Sequence, residues 1–519
     1  MDRDVMINRL STQSDDWDLI IIGGGATGLG CAVDAASRGH KILLLERGDF
    51  AKGTSSRSTK LVHGGVRYLQ QGNFSLVMEA LKERGTLRQN APHLVSELPL
   101  VVPNYDWWEA PWTGIGLKIY DLMAGKHGFG KSQILSLEET VNKIPTIEQN
   151  GLHGGIVYHD GQFDDARLAI NLARTAVNQG ATLINYVEVS ALHKSRDIID
   201  GVTVTDLESG QSHELRCKAV INATGAFSDA VRRMDDPNSE NIITPSQGVH
   251  LMLPGSFLPG KTAILVPNTR DGRVIFLIPW HDCVMVGTTD TPIDEIAVEP
   301  RAQSQEIDFL LEYAAQYLDH DPTREDVLSV FAGIRPLVGS SEDENTANLS
   351  RDHSIMISHS GLMTVAGGKW TTYRKMAEDS IDQAQILAEL DFKPCVTEKL
   401  QIHGYHHHAG EFGDLAWYGA DANNIQTIMT ENPANREIIH PALPTVNAEV
   451  IWAARKEMAR TVEDFLARRT RSLLLNARAS IEMAPQVAEL IATELGHDSA
   501  WQESQLNAYK DLAEGYILN

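Results

Sequence analysis

The stretch DLIIIGGGATGLGCAVDAASRGHKILLLERGD, from Asp18 to Asp49, decides the fold. Its opening apolar run predicts a strand, its glycines predict a tight turn, and the small and apolar residues that follow predict a helix ending at Gly39. A second apolar strand then closes on Glu46. This order of strand, turn, helix and strand is typical of a doubly wound α/β fold.

Gly23, Gly25 and Gly28 form the pattern G-x-G-x-x-G at the turn. One glycine permits the turn, one lets the backbone approach a pyrophosphate, and one lets the helix pack closely on the strand. Free N–H groups and the positive dipole end at the start of the helix attract the anion. Glu46 is placed to accept hydrogen bonds from ribose hydroxyls, so the unit predicts a site for NAD or FAD rather than NADP.

Three later segments favour FAD over NAD. The loop GTSSRSTKLVHGGVRYL (residues 53–69) is rich in glycine and hydroxyl residues that can donate along a large cofactor. NATG (222–225) and VAGGKWTTYRKMAE (365–378) are two further glycine-bearing strand ends that can serve the same long molecule. The predicted cofactor-binding residues are therefore Gly23, Gly25, Gly28, Glu46, Thr54, Ser55, Ser56, Lys60, His63, Gly225, Gly368 and Thr371.

Composition and charge exclude several classes of function. The chain has 519 residues and a net charge of −24, which repels phosphate backbones and argues against nucleic-acid binding. Its apolar runs fall short of the roughly 18 residues that a membrane-spanning helix needs. The four cysteines form no Cys-x-x-Cys, which favours a reducing cytoplasm. The adjacent histidines of YHHHAG (405–410) point different ways, so no metal site is predicted.

Three regions are expected along the chain. Residues 1–16 are expected to be a disordered lead. Residues 17–400 are expected to form a Rossmann-like FAD-binding domain interleaved with a substrate domain of roughly residues 75–150 and 240–345. Alternating apolar strands between Thr244 and Asp290 predict an antiparallel sheet in that substrate domain. Residues 401–519 are expected to form a separate helical domain with long amphipathic stretches at Asn447–Leu475 and Ala484–Glu494.

The chain resembles the FAD-dependent glycerol-3-phosphate dehydrogenases, within the wider group of amino-acid-oxidase-like flavoproteins. The resemblance covers nearly the whole chain from about Trp17, and its most specific segments are LVHGGVRYL, GIRPL and GGKWTTYRKMA. It implies oxidation of glycerol 3-phosphate to dihydroxyacetone phosphate by hydride transfer from C2 to the flavin N5. It further implies that electrons pass to a membrane quinone from a cytoplasmic protein held peripherally at the inner face of the cell membrane. A homodimer is left open.

A dianionic phosphate inside an acidic protein requires several cations that converge on one pocket. Candidate side chains are Arg67, Arg335, Arg351 and Lys369, with the Tyr68 hydroxyl as a further donor. The resemblance implies that Arg67, Tyr68, Arg335 and Lys369 are substrate-binding residues, and Arg351 matches less closely. Arg335 is also expected to stabilise the negative charge that develops on the C2 oxygen.

A base must take the proton of the C2 hydroxyl, and two histidines are candidates. His250 lies on a predicted strand of the substrate domain, and His63 lies in the loop next to the flavin. Many relatives carry Lys-Gly-x-His where this chain has Gln247-Gly248-Val249-His250. Because a cation is then missing beside His250, we expect its strength as a base to change and phosphate binding to weaken.

Two other functions remain open at this stage. A glycerol-3-phosphate oxidase would pass electrons to oxygen instead of quinone, and the absence of an obvious surplus segment mildly favours the dehydrogenase. A regulatory protein that keeps FAD but has lost catalysis is a third reading, and the change at Gln247 is the feature that supports it.

Overall fold

The computed structural model describes residues 1–12, 15–65, 74–105, 120, 123, 125, 128–267, 269, 273–339 and 352–518. Within them the strands are β1 (Trp17–Ile22), β2 (Ile42–Leu45), β3 (Leu61–Val62), β4 (Val95–Asn104), β5 (Gln133–Leu135), β6 (Gly154–Phe163), β7 (Thr182–Ile184), β8 (Val187–Ser195), β9 (Ile198–Asp206), β10 (Ser212–Asn222), β11 (Ile243–Pro254), β12 (Ala263–Val266), β13 (Ile275–Trp280), β14 (Cys283–Gly287), β15 (Thr291–Pro292), β16 (Ser329–Val338), β17 (His353–Ile357), β18 (Leu362–Gly367), β19 (Ile438–His440) and β20 (Leu443–Val446).

The α-helices of the same residues surround two large sheets. They are α1 (Arg3–Thr12), α2 (Ala26–Ser37), α3 (Phe74–Asn90), α4 (Leu137–Lys143), α5 (Asp165–Asn178), α6 (Ser228–Asp235), α7 (Ser304–Tyr317), α8 (Tyr373–Leu387), α9 (Ala422–Glu431), α10 (Asn447–Lys456), α11 (Ser472–Leu475), α12 (Ala477–Leu495) and α13 (Ser499–Ala513). None of these helices is long and apolar enough to cross a membrane, as far as the described residues go.

The first sheet is the predicted dinucleotide-binding sheet. Its strands follow the order β17-β18-β10-β1-β2-β7, with β9 beside β10 and β8 beside β9, and β1 runs parallel to both β2 and β10. The apolar residues of β1 and β2 are almost fully buried because helices cover the sheet. Gly30 of α2 lies so close to α8 that a Cβ there would be 3.0 Å from the Tyr373 ring. The predicted Rossmann-like unit is confirmed.

The second sheet carries the predicted substrate domain. Its order is β15-β11-β14-β13-β12-β4-β6-β3, with β16 beside β11 and β5 beside β6. β11 pairs antiparallel with both β14 and β16, as the alternating pattern predicts. Alternate residues of β11 point to opposite faces, and Val249, Leu251 and Leu253 lie in a core under the sheet. The other face of β11 brings Gly248 and His250 to a cavity between the sheets.

The N-terminal segment differs from the disordered lead that the sequence suggested. Residues Arg3–Thr12 form helix α1, and its Met6 and Leu10 are buried in the core of the first sheet. The Arg3 side chain is buried with them and forms a 2.5 Å ion pair with Asp206. Two buried apolar residues and one buried ion pair are too few to give the segment a recognisable helical pattern in sequence.

The C-terminal region is helical, as predicted, and its apolar residues share one core with the second sheet. Leu474 and Val487 lie in this core together with Leu100 and Phe331. The predicted stretch Asn447–Leu475 is not one helix, because it is broken into α10, a π-helical turn at Asp464–Arg469 and α11. Left-handed backbone at Met458 and Arg471 marks the two breaks. The second predicted stretch, Ala484–Glu494, lies inside α12.

Candidate functional site

A cavity of about 1200 Å³ lies between the two sheets. Small-ligand sites are typically about 300 to 1,000 Å³, so this one has room for a large cofactor together with a small substrate. Its walls are the glycine turn after β1, the loop from Ala51 to His63, the residues after β10 and β18, and the facing sides of β4, β6, β11 and β16.

The glycine turn has the geometry of an anion cradle. Gly23 has a φ of +107°, and a Cβ there would lie 2.6 Å from the Ala223 carbonyl oxygen. A Cβ at Gly28 would lie 1.9 Å from the Gly23 carbonyl oxygen, so this glycine allows the helix to pack. Gly25 is the N-cap of α2 and provides no side-chain cap. The start of α2 therefore faces the cavity, and its positive dipole end suits an anion there.

Glu46 lines the cavity at the end of β2. Its Oε2 atom accepts a 2.6 Å hydrogen bond from the Gly24 N–H, and its Oε1 atom accepts one of 2.7 Å from the Gly48 N–H. Burial raises the pKa of this carboxyl group, and the two N–H donors oppose that rise. The carboxyl group is thus fixed at the strand end from which an acid holds the ribose of a dinucleotide.

The loop after β2 supplies some of the predicted contacts but not all of them. Thr54, Ser55 and His63 line the cavity, and the Ser55 hydroxyl accepts a 2.9 Å hydrogen bond from the Ala26 N–H. Ser56 is buried outside the cavity lining.

Lys60 points away from the cavity as well. Its Nζ atom lies 2.7 Å from Asp165 and 2.6 Å from the Ser56 carbonyl oxygen. The backbone of Lys60 is left-handed, with a φ of 60°, and its side chain turns into the protein while Thr59 and Leu61 line the cavity. The predictions that Lys60 and Ser56 contact the cofactor are therefore corrected.

The buried lysine instead has a structural role. Desolvation by complete burial lowers the pKa of Lys60, and the Asp165 carboxylate opposes that effect. Because Asp165 is the first residue of α5, the ion pair ties the loop after β2 to the start of that helix.

The ends of the neighbouring strands β10 and β18 carry the remaining predicted glycines. Gly225 and Gly368 have positive φ values of 57° and 80°, and both line the cavity together with Thr371. The Trp370 indole N–H donates a 2.9 Å hydrogen bond to the Ser55 carbonyl oxygen, which joins this turn to the loop after β2. The three glycine-bearing strand ends thus meet around one cavity.

Arg335 lies on β16 and lines the cavity. Its Nη2 atom donates to the Thr289 carbonyl oxygen at 2.8 Å, and its Nη1 atom is 3.3 Å from Asp290. A Cβ at Gly248 would lie 2.4 Å from Nη2, so only a glycine on β11 leaves room for the guanidinium. Lys369 lines the same cavity from the turn after β18.

His250 is buried on β11 and lines the same cavity as Arg335. Its Nε2 atom lies 3.0 Å from the Thr59 hydroxyl, and its ring stacks on Phe331 at 4.9 Å. Burial, and then the positive charges of Lys60 and Arg335, lower its pKa well below the usual value. The imidazole is therefore neutral at physiological pH.

His63 lines the cavity from the loop, and its backbone N–H donates a 3.3 Å hydrogen bond to the Thr371 hydroxyl. Arg67, Tyr68 and Arg351 lie outside the described residues, so their predicted roles stay predictions. No group of three or more His, Cys, Asp or Glu side chains that could hold a metal ion occurs in the described parts of the chain.

Gln247 does not face His250. Its side chain lies on the opposite face of β11, where Nε2 donates to Glu306 at 2.8 Å and to the Arg301 carbonyl oxygen at 3.0 Å. A lysine at this position would therefore meet the Glu306 carboxylate rather than the cavity. The expected loss of a cation beside the base is corrected, because neighbouring residues of a strand point to opposite faces.

Sequence reasoning missed many residues of the cavity wall, including two polar residues of the loop after β2. Thr59 contacts His250, and Arg57 is a buried cation whose Nη2 atom lies 2.6 Å from Glu299. Both lie in the loop from Gly53 to Leu69 that was assigned to the cofactor as a whole. No alternation in this loop could have singled them out, because Arg57, Ser58 and Thr59 line the cavity in succession.

Comparisons with known proteins agree with this geometry. Residues 18–374 match the FAD dependent oxidoreductase family, and residues 395–502 match the C-terminal domain of alpha-glycerophosphate oxidase. The human mitochondrial glycerol-3-phosphate dehydrogenase is 41% identical over 95% of this chain and 72% of its own length. The mitochondrial enzyme of Arabidopsis thaliana is 39% identical over 98% of this chain and 87% of its own length.

Solved structures give the same picture of the fold. The glycerol-3-phosphate dehydrogenase from Bacillus halodurans, complexed with FAD, matches with a TM-score of 0.81 and 29% identity, over 99% of this chain and 98% of that one. The L-alpha-glycerophosphate oxidase from Mycoplasma pneumoniae, with FAD bound, matches 74% of this chain and 98% of that one with a TM-score of 0.53. Its identity is 16%, so that likeness concerns the fold alone.

Proposed function

We propose that this chain, which belongs to the FAD-dependent glycerol-3-phosphate dehydrogenases, oxidises glycerol 3-phosphate to dihydroxyacetone phosphate. One observation supports the substrate most directly. Arg335 and Lys369 reach one cavity from different elements, together with a neutral histidine and a glycine cradle suited to a dinucleotide. Two converging cations suit a phosphate, and a neutral imidazole suits a base.

Bound FAD would supply the redox chemistry, as the acceptor of the hydride that leaves C2. Gly23, Gly25 and the start of α2 would hold its pyrophosphate, and Glu46 would hold its ribose. Lys369 and Arg335, with the predicted Arg67, Tyr68 and Arg351, bind the phosphate. Arg335 also stabilises the charge that develops on the C2 oxygen as its proton leaves.

We propose His250 as the base that takes this proton. Its neutral ring is ready to accept, and the Thr59 hydroxyl beside Nε2 lines the cavity as well. A hydroxyl in this place can pass a proton from the substrate to the ring. His63 remains the alternative base, because it lines the same cavity from the loop.

Quinone is the proposed acceptor, and oxygen is the alternative. A quinone resides in lipid, so we propose peripheral attachment at the inner face of the cell membrane, with the rest of the protein in the cytoplasm. The exposed apolar side chains of Phe392 (66%) and Ile386 (76%) support contact with such a surface. The homodimer stays a prediction, which the mass of the purified protein in solution would check.

The visible spectrum of the purified protein without oxygen tests the substrate. Bleaching of the flavin bands on addition of glycerol 3-phosphate would support the proposed half-reaction, and glycerol without phosphate is the matched control. Bands that persist would reject the substrate and favour an inert flavoprotein. Re-oxidation by a short-chain quinone without peroxide would support the dehydrogenase, whereas rapid formation of peroxide in air would support the oxidase.

A further inference from the structure

Arg57 places a buried positive charge on the wall of the cofactor cavity. Arg57 belongs to the loop after β2, and its side chain, which is 5% exposed, lies against strand β16. A Cβ at Gly333 of β16 would lie 3.1 Å from the Arg57 Cβ and from its carbonyl oxygen, so the loop and the strand touch here through a glycine. The Thr54 hydroxyl reinforces the contact by donating to the Ile334 carbonyl oxygen at 2.6 Å.

Glu299 is the carboxylate that pairs with this arginine. Its Oε1 atom lies 2.6 Å from Arg57 Nη2, and its side chain is 22% exposed. Glu463 also acts on Arg57 electrostatically, but its own carboxylate is held by Lys52 at 2.8 Å and Arg468 at 2.7 Å. The direct counter-charge of Arg57 among the described residues is therefore Glu299.

The second oxygen of Glu299 is held by the C-terminal turn (Glu514–Tyr516). The Tyr516 hydroxyl donates a 2.8 Å hydrogen bond to Glu299 Oε2. The tyrosine is itself buried, and Arg301 lies over its ring at 5.9 Å. A chain of contacts thus runs from the C-terminal turn through one carboxylate to a cation on the cavity wall.

We propose that Glu299 is a positioning residue that holds Arg57 at the FAD cavity and balances its charge, with Tyr516 orienting the carboxylate. Reduction adds electron density to the flavin ring, so a nearby cation favours the reduced form. A paired cation favours it less, because the carboxylate cancels part of its field. The C-terminal turn would in this way influence how readily the flavin accepts electrons.

The midpoint potential of the bound flavin tests this. Dithionite titration of the holoprotein against a reference dye needs no glycerol phosphate, so its result is independent of the proposed substrate. Glu299→Gln should raise the potential by about 30 mV, which is a tenfold change in the equilibrium constant for a two-electron couple. Tyr516→Phe should shift it in the same direction by less. Glu295→Gln, an exposed residue of the same segment, should leave it unchanged.

Two results would overturn the proposal. The first is a potential that is unchanged in both Glu299→Gln and Tyr516→Phe while the flavin stays bound. The second is a double variant Arg57→Gln/Glu299→Gln that keeps the raised potential instead of returning toward the wild-type value. If Glu299→Gln fails to fold, Tyr516→Phe decides alone, because it loosens the carboxylate without leaving Arg57 unpaired.

Discussion

The position of the Arg335 side chain depends on the absence of a side chain at Gly248. The Arg335 guanidinium lies within 2.4 Å of where a Cβ of Gly248 would be, and the backbone oxygens of Gln247 and Thr289 accept its hydrogen bonds. The guanidinium is thereby held in one orientation before any substrate arrives. Preorganised donors of this kind stabilise developing charge without rearranging during the reaction.

Replacing Arg335 should separate catalysis from cofactor binding. Arg335→Ala should keep yellow, folded protein but lower the rate of flavin reduction by about 10²- to 10³-fold, as the loss of a preorganised donor does elsewhere. Arg335→Lys should recover part of the rate. Rapid-mixing measurement of flavin bleaching without oxygen gives the number. Arg324→Ala, which breaks an exposed pair with Asp308, is the control, and normal turnover by Arg335→Ala would reject the assigned role.

The pH dependence of flavin reduction distinguishes the two candidate bases. A base acts in its neutral form, and burial holds the pKa of His250 well below 6.5. As the pH falls from about 8 toward 5, the rate should therefore stay constant through the range in which an ordinary histidine becomes protonated. His250→Gln should lower the rate at every pH. A wild-type rate that halves near the ordinary histidine pKa would reject His250 as the base.

On strand β11, the face on which a residue lies decides whether its substitution affects the cavity. Its residues Gly248 and His250 face the cavity, whereas Gln247 faces Glu306 on α7. Glu306 also accepts hydrogen bonds from the hydroxyls of Thr289 and Thr291, and the carbonyl oxygen of Thr289 accepts one from Arg335. The side chain at position 247 therefore bears on the support of the site rather than on its charge.

A lysine at position 247 should accordingly change little. Gln247→Lys should leave the KM for glycerol 3-phosphate and the pH profile of reduction unchanged, because the ammonium group would pair with Glu306. Steady-state kinetics with an artificial electron acceptor measure both. Glu306→Gln provides the contrast, since it weakens the turn and should raise KM. A lower KM in Gln247→Lys would show that the side chain does reach the substrate.

Sequence patterns predicted helices, strands and turns well where the local residue preferences match the structure that the whole fold requires. The turn from Gly23 to Gly28 could be interpreted directly because spacing, strand, helix and Glu46 all require the same structure. The inward turn of Lys60 could not be predicted, because a lysine in a cofactor loop ordinarily suggests a phosphate contact. Its buried partner, Asp165, lies more than a hundred residues away in the chain.

The break in the stretch Asn447–Leu475 could not be predicted either, because it too depends on contacts between distant segments. Glu457 and Arg469 continue a helical pattern of charged and apolar residues, so the sequence gives no local signal for a stop. In the structure both side chains are buried and lie near each other, with 3.8 Å between Arg469 Nε and Glu457 Oε2. Contacts between distant segments, rather than local preference, decide where these helices end.

At the scale of the whole molecule, buried charges join the C-terminal helices to the FAD-binding sheet. Arg469 lies 2.6 Å from Asp49, in the segment after β2. Arg167 on α5 forms two hydrogen bonds with Glu457, at 2.7 and 2.8 Å. Removing one partner of such a pair leaves an uncompensated buried charge, which typically costs about 3 to 5 kcal/mol. The two regions should therefore unfold together rather than separately.

Two buried glutamates, Glu457 and Glu449, should change the stability of the protein in opposite directions as the pH rises. The arginines around Glu457 outweigh its burial and lower its pKa from 4.5 to about 2, so its contribution is present above about pH 4.5 and is lost as the pH falls toward 2. Burial raises the pKa of Glu449 from 4.5 to about 7, so stability falls as the pH rises through that range. A pKa displaced this far corresponds to roughly 3 kcal/mol.

The variants Glu457→Gln and Glu449→Gln separate these two contributions. Urea unfolding of the holoprotein in excess FAD, followed from about pH 3 to 8, measures the free energy of unfolding. Glu457→Gln should destabilise the protein most at neutral pH and flatten the acid side of the profile, because a neutral amide no longer balances Arg167. Relative to the wild type, Glu449→Gln should instead be more stable at neutral pH than at pH 5, because a neutral amide removes the cost of ionising a buried carboxyl group. Parallel profiles for both variants and the wild type would show that neither carboxyl group titrates differently in the folded protein.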